Sequence, residues 1–196
     1  MKNLILKSLL PAVFALPVLA ALPEGHPAPD FQAPASLAGK AFNYTLEDAL
    51  KKGPVVVYFY PSAYTGGCNL QAHSFAVNHE KFAAAGASIV GVSLDSIERL
   101  NDFSADPNYC ASKFPVASDA DGKISGNYDI AVKAAAPGKT DSRGEEINHG
   151  FAERTTFVVT PDGKIAATLG GLKPEENVGK ALEIVEKLAA DRSKAN

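Results

Sequence analysis

The 196-residue sequence has no tryptophan, one methionine and only two cysteines, and aromatics make up 8% of it. Two cysteines exclude a disulfide-dense scaffold and a four-cysteine zinc site; they allow one disulfide or one redox pair. Positive charge is not in excess: 19 Lys and Arg face 22 Asp and Glu, a net charge of -3. That excludes the electrostatic footprint of a nucleic-acid binder. No unbroken apolar run reaches the roughly 20 residues that a transmembrane helix needs. Internal repeats and coiled-coil heptads are also missing. What is present is a globular composition, 46% hydrophobic and 21% charged, at a length that suits one domain.

Lys2 and Lys7 precede an apolar run that is broken by Pro11 and Pro17 and closes on Val18-Leu19-Ala20. A basic start, an apolar run and small residues at its end read as a secretory signal over residues 1–20. Cleavage is expected after Ala20 or Ala21, which leaves 17 basic and 22 acidic residues and a charge of -5. Residues 21–196 are then one exported domain with no stable membrane association. Export leads to an oxidising compartment where disulfides persist, the periplasm if the source is a Gram-negative bacterium.

The mature chain alternates strand and helix signals. Pro23 to Pro34 reads as an extended entry, and Leu37 to Tyr44 as a hairpin around Gly39-Lys40. Thr45 suits the N-cap of a short helix with Glu47 and Asp48 in its first turn. Val55 to Tyr60 is β-branched and aromatic without polar alternation, the pattern of a central strand buried on both faces. Gly66 to Ala85 reads as a helix with Ala72, Phe75, Ala76, His79, Phe82 and Ala83 on its core face. Ser88 to Leu94 is a second buried strand, Ser96 to Phe103 a helix, and Phe114 to Val116 a short strand before a turn at 119–122. Ala134 to Gly150, small and polar, reads as an inserted loop to which the sequence assigns no role. Two strands flank Pro161-Asp162-Gly163, and Pro174 to Arg192 closes the chain as an amphipathic helix. This order predicts an α/β sandwich on a mixed sheet, since the final hairpin must be antiparallel.

Chemistry concentrates where the first buried strand runs into its helix, at Tyr60-Pro61-Ser62-Ala63-Tyr64-Thr65-Gly66-Gly67-Cys68. Functional groups gather at the carboxyl ends of such strands. Cys68 falls in the first helical turn, where unpaired N–H groups and the helix dipole stabilise a thiolate, the nucleophilic form of cysteine. Thr65 can set its hydroxyl beside the sulfur, and Pro61 can cover it from water.

Pro61-x-x-x-Thr65-x-x-Cys68 resembles the peroxiredoxin active-site motif, Pro-x-x-x-Thr/Ser-x-x-Cys. Glu153-Arg154-Thr155-Thr156-Phe157-Val158-Val159 looks like that family's arginine-bearing strand, Ala28-Pro29-Asp30-Phe31 like its N-terminal signature, and Phe114 to Asp119 like its middle segment. The resemblance covers about residues 25–190 and is nearest to the bacterioferritin-comigratory, or Q-type, branch. It implies a thioredoxin-like three-layer sandwich and a thiol peroxidase acting on hydrogen peroxide or small organic hydroperoxides. It implies Cys68 as the peroxidatic cysteine, Thr65 as a hydrogen-bonding partner of peroxide and sulfur, Arg154 as the cation beside them, and Pro61 as the shield. No metal, haem or flavin is implied. An external thiol or dithiol protein is the implied reductant, and the chain is expected as a monomer or weak dimer.

Two departures stand out. Many Q-type members carry a second cysteine five residues after the first, where this sequence has His73; others keep it in a later helix, which makes Cys110 the candidate resolving residue, forming an intramolecular disulfide with Cys68. Gly67 stands where a proline is common, a change expected to ease unwinding. A thiol-disulfide oxidoreductase on the same fold would want Cys-x-x-Cys, but Thr65 holds the first position; a copper chaperone would want Cys-x-x-x-Cys, but position 72 is Ala72. His26, His73, His79 and His149 show no ligand spacing and read as satisfied or solvated side chains.

Overall fold

The computed structural model describes residues 21–195; the expected signal segment lies outside the described residues. Fourteen elements follow in chain order. They are β1 (Gln32–Leu37), β2 (Lys40–Thr45), α1 (Leu46–Leu50), β3 (Val55–Phe59), α2 (Gly66–Ala84), β4 (Ser88–Ser93), α3 (Ile97–Ala105), β5 (Val116–Ser118), α4 (Lys123–Asn127), β6 (Val132–Lys133), β7 (Phe151–Ala152), β8 (Thr155–Val159), β9 (Ile165–Gly170) and α5 (Pro174–Ala195). Seven strands form one sheet in the order β2-β1-β5-β4-β3-β8-β9. β3, β4 and β5 run parallel, whereas β8 lies antiparallel to β3, which makes the sheet mixed as expected.

β3 sits inside this sheet, and its five residues are all buried. The period of two along a strand sends Val56 and Tyr58 to one face and Val55, Val57 and Phe59 to the other. The first set packs with Phe75 and Phe82 of α2, Leu100 and Phe103 of α3, and Val178 and Val185 of α5. The second packs with Leu46, Leu50, Ile124 and Tyr128. Two apolar faces need two helical layers, and the result is a three-layer sandwich. Tyr58 lies opposite Gly91 of β4, where a Cβ would stand 2.6 Å from the phenol ring; glycine is what lets the ring lie flat on the neighbouring strand.

The structure departs from the sequence reading in a few places. Pairing of β5 with β4 starts at Val116, not Phe114, because Pro115 has no N–H to give; its carbonyl accepts from Gly91 N instead. Thr45 occupies the N-cap of α1 without capping it; Asp30 Oδ1 accepts the Glu47 N–H at 3.0 Å. α4 was not expected, since Ser125 and Gly126 are poor helix formers. The Asp119 carboxylate starts it by accepting the N–H groups of Ile124 and Ser125 at 2.8 and 2.7 Å. Among the described residues no helix is long and apolar enough to cross a membrane.

Candidate active site

β3 ends at Phe59, and six residues later Thr65 stands at the N-cap of α2. Tyr64 takes a left-handed backbone (φ 59°), which turns the chain sharply enough to start the helix. Cys68 N–H donates to Thr65 O at 2.9 Å, so the cysteine closes the first helical turn. Its side chain points inward and is 2% exposed.

Arg154 reaches this sulfur through sheet register. Phe59 pairs with Thr155 in the antiparallel β3–β8 ladder, so the residue before Thr155 emerges beyond the carboxyl end of β3. Arg154 Nη2 lies 3.4 Å from Cys68 Sγ. A guanidinium at that range is a fixed positive charge and a donor for whatever charge develops on sulfur or on an attached oxygen. A Cβ on residue 67 would come within 3.1 Å of Arg154 Nη2, so Gly67 gives the guanidinium its room.

The guanidinium is held from behind by residues that sequence reasoning missed. Arg154 Nη1 donates to Gln71 Oε1, and Gln71 Nε2 donates to Asn177 Oδ1 at 3.0 Å. The same oxygen accepts the Thr156 hydroxyl at 2.6 Å, and Asn177 Nδ2 donates to Leu169 O at 3.0 Å. Gln71 and Asn177 are fully buried. A signal was available: Gln71 falls on the core face of α2 beside Ala72, and Asn177 borders Val178 on the apolar stripe of α5. Buried amides on apolar faces are expensive unless fully hydrogen-bonded. Asn177→Ala would leave the Gln71 amide and the Thr156 hydroxyl unpaired. It is expected to cost about 3 kcal/mol, read as a lower urea midpoint of unfolding.

The other predicted residues are placed as follows. Pro61 is half-buried at the start of the loop. Thr65 is beside the cysteine turn, but its hydroxyl does not bond the sulfur: Thr65 Oγ1 donates to Ser62 O at 2.8 Å. The proton is spent on the loop, and the oxygen lone pairs stay available as acceptors. Cys110 is a free thiol, as is Cys68. It lies beyond the end of α3 rather than within a helix, fully buried in the core cluster that also contains Cys68. Burial, helped by Asp106, pushes its thiol pKa well above the ordinary value and keeps it protonated. The next two residues, Ala111 and Ser112, both have left-handed backbones (φ 50° and 58°), a strained pair for side chains with a Cβ. His73, at the position of the other cysteine, instead holds the carbonyl of Asn108 at 3.0 Å and ties the Cys110 segment to α2.

The sequence profile of the AhpC/TSA family matches residues 25–168. A peroxiredoxin Bcp of Xanthomonas campestris is 32% identical over 139 residues, 71% of this chain and 79% of that one. A peroxiredoxin Bcp of Bacillus subtilis is 29% identical over 135 residues, 69% and 79% of the two chains. The crystal structure of peroxidoxin BcpB from Mycobacterium tuberculosis superposes with a TM-score of 0.70 at 27% identity, covering 85% of this chain and 98% of that one. The bacterioferritin comigratory protein of Xanthomonas campestris, whose structure was studied for alkyl peroxide reduction, gives 0.63 at 29% identity over 80% and 91%. The family match runs from the entry segment into β9 and includes the strand-to-helix junction that carries Cys68. The chain therefore belongs to the AhpC/TSA family and is a thiol peroxidase of the peroxiredoxin kind.

Proposed function

We propose that Cys68 is the peroxidatic cysteine, that Cys110 resolves it through an intramolecular disulfide, and that the protein works after export. The observation that carries the first part is the Arg154 guanidinium 3.4 Å from a sulfur buried at a helix start. The thiolate attacks one peroxide oxygen. An S–O bond forms, the O–O bond breaks, and the leaving oxygen departs as water or an alcohol once protonated. Sulfur is oxidised to the sulfenic acid and the peroxide is reduced. Arg154 faces the developing negative charge, and the Thr65 lone pairs are free to accept the peroxide O–H. The Cys110 sulfur then attacks the Cys68 sulfur: an S–S bond forms, the S–O bond breaks, and hydroxide leaves with the Cys110 proton as water. An external dithiol protein takes up the disulfide by exchange and is itself oxidised.

Hydrogen peroxide and small organic hydroperoxides are the proposed substrates; the alkyl peroxide reduction studied in the Xanthomonas relative supports the second class. The chain acts as a monomer or weak dimer. The test is peroxide consumption by the mature chain with dithiothreitol, beside Cys68→Ser and Cys110→Ser; a Cys68→Ser protein as active as the parent overturns the reading.

Export rests on the basic start and apolar run of residues 1–20. Leu22 is already tied into the fold, its N–H to Tyr128 O at 3.2 Å and its carbonyl to Thr168 Oγ1 at 2.6 Å, which supports a mature terminus just before it. Mass spectrometry of the protein from fractionated cells should find a chain starting at Ala21 or Leu22 outside the cytoplasm. An intact chain retained in the cytoplasm would refute export.

A further inference from the structure

The 134–150 insertion does not hang free of the site. Ser142 N–H donates to Tyr64 O at 2.8 Å, and Arg143 Cζ stands 3.5 Å from the centre of the Tyr64 ring. The insertion therefore braces the left-handed residue on which the Cys68 helix turns.

Behind this brace lies a fully buried carboxylate, Asp95, two residues past the end of β4. Its Oδ2 accepts the Ala63 N–H and the Ser93 hydroxyl, both at 2.7 Å. Its Oδ1 accepts the Ser62 hydroxyl at 2.9 Å. Ser62 in turn receives the Thr65 hydroxyl proton on its carbonyl, and Arg99 Nη2 donates to Ala63 O at 3.1 Å. Asp95 thus fixes the two residues that place Tyr64 and Thr65. A buried carboxylate of this kind is tolerable only when its charge is answered.

His149, at the end of the insertion, supplies part of the answer. Its Nε2 lies 2.8 Å from Asp95 Oδ1, and its Nδ1 lies 2.9 Å from Gly150 O. Both ring nitrogens face acceptor oxygens. A neutral imidazole has one N–H and would turn a bare lone pair on one of them; the imidazolium satisfies both. The charges around the ring are mostly negative. Arg99 from α3 lies 2.9 Å from Asp95 as an ion pair without hydrogen-bond alignment. Arg99 and Arg143 also pair with Asp141 and Glu145 of the insertion. Two guanidiniums thus meet four carboxylates, since Arg143 Nη1 also lies 3.7 Å from Asp102 Oδ2 of α3, and the negative surplus favours a protonated His149. The cleft onto which His149 opens adds Glu98 and Glu146, both acidic.

We propose that His149 is a positioning residue for the Thr65–Cys68 turn: as an imidazolium it holds Asp95, and through Asp95 the active-site loop, so that its deprotonation gives the peroxidase an alkaline limb. The inference rests on the peroxidatic role of Cys68. The titration directions agree with the geometry. Burial, and to a lesser degree the Arg99 charge, would lower the His149 pKa, but the Asp95 hydrogen bond and charge and the Gly150 carbonyl outweigh them and raise it above the ordinary 6.5. Burial alone would raise the Asp95 pKa, but His149, the Ala63 N–H and the Ser93 hydroxyl hold it below the usual carboxylate value. A raised histidine stabilises the fold below its unfolded pKa and loses that effect as pH rises through the folded one. A lowered carboxylate loses its contribution as pH falls through its folded pKa. The pair therefore holds the loop from the depressed Asp95 value up to the raised His149 value.

The experiment measures the second-order rate constant of Cys68 oxidation by hydrogen peroxide from about pH 6 to 10 in the parent and in His149→Gln. The parent should show a fall in rate on the alkaline side. His149→Gln should be about tenfold slower near neutral pH, a misplacement effect, with the alkaline fall gone. A variant that keeps the parent's alkaline fall overturns the proposal, whether its rate is unchanged or uniformly reduced. Should His149→Gln not fold, NMR titration of the parent decides, with His149 assigned by elimination through His26, His73 and His79 variants. A ring that loses its proton at or below the ordinary value overturns the proposal. Cys68→Ser keeps the two failures apart: parent-like activity there defeats the peroxidase role of Cys68 and the inference with it, whereas a parent-like alkaline fall in His149→Gln defeats the role of His149 alone.

Discussion

Replacing Cys68 by serine should reduce dithiothreitol-supported peroxide consumption by more than about a thousandfold, since the alcohol cannot take the nucleophile's place. Cys110→Ser should behave differently. Its first turnover should match the parent, because Cys110 touches neither Arg154 nor the peroxide site in the described hydrogen bonding. The sulfenic acid on Cys68 should then accumulate and be trapped by dimedone, visible by mass spectrometry. Both thiols are buried, and the Cys110 thiol is held protonated, so neither is ready for disulfide chemistry in the folded form. Resolution needs local unwinding around both. The left-handed pair Ala111-Ser112 stores strain next to Cys110, which lowers the cost of releasing that segment. A Cys110→Ser protein that turns over with a dithiol protein at the parent rate would defeat the resolving role.

Arg154→Met should lower the second-order rate constant for peroxide by about 10²- to 10³-fold, the usual cost of removing one preorganised donor from a developing charge. The variant keeps the bulk of the side chain and loses its charge and its N–H groups. Arg154→Lys should recover only part of the loss. One ammonium cannot both reach Sγ and donate to Gln71 Oε1 as the two ends of the guanidinium do. Competition kinetics against a second peroxidase would give both numbers. A rate for Arg154→Met within about threefold of the parent would remove Arg154 from the chemistry, whatever its distance from the sulfur.

Much of this molecule is legible in its residues. The β3 run, the helix after it and the Pro61-Thr65-Cys68 spacing are local patterns, and local patterns report local structure: strand, turn, helix, and a cysteine in a first turn. The hairpin at Gly39, the closing helix and the mixed sheet follow in the same way. The seat of Arg154 is less local, and only its likeness to a family strand marked it in the sequence. Which groups meet is far less legible. Thr65 was expected on the sulfur and is turned to Ser62 O. His149 was expected to be satisfied or solvated, and it is satisfied, by an Asp95 that nothing in the sequence marked as its partner.

The sequence by itself determined most of the elements, the fold class and the position of the reactive cysteine, because propensity, periodicity and turn chemistry act over a few residues. Only the tertiary structure decided the partners. Arg154 meets Cys68 across 86 residues and Asn177 meets Gln71 across 106, while His149 meets Asp95 across 54. No periodicity links such distances. They are fixed by strand register and by the rule that a buried charge or amide must be answered by whatever the packing brings to it.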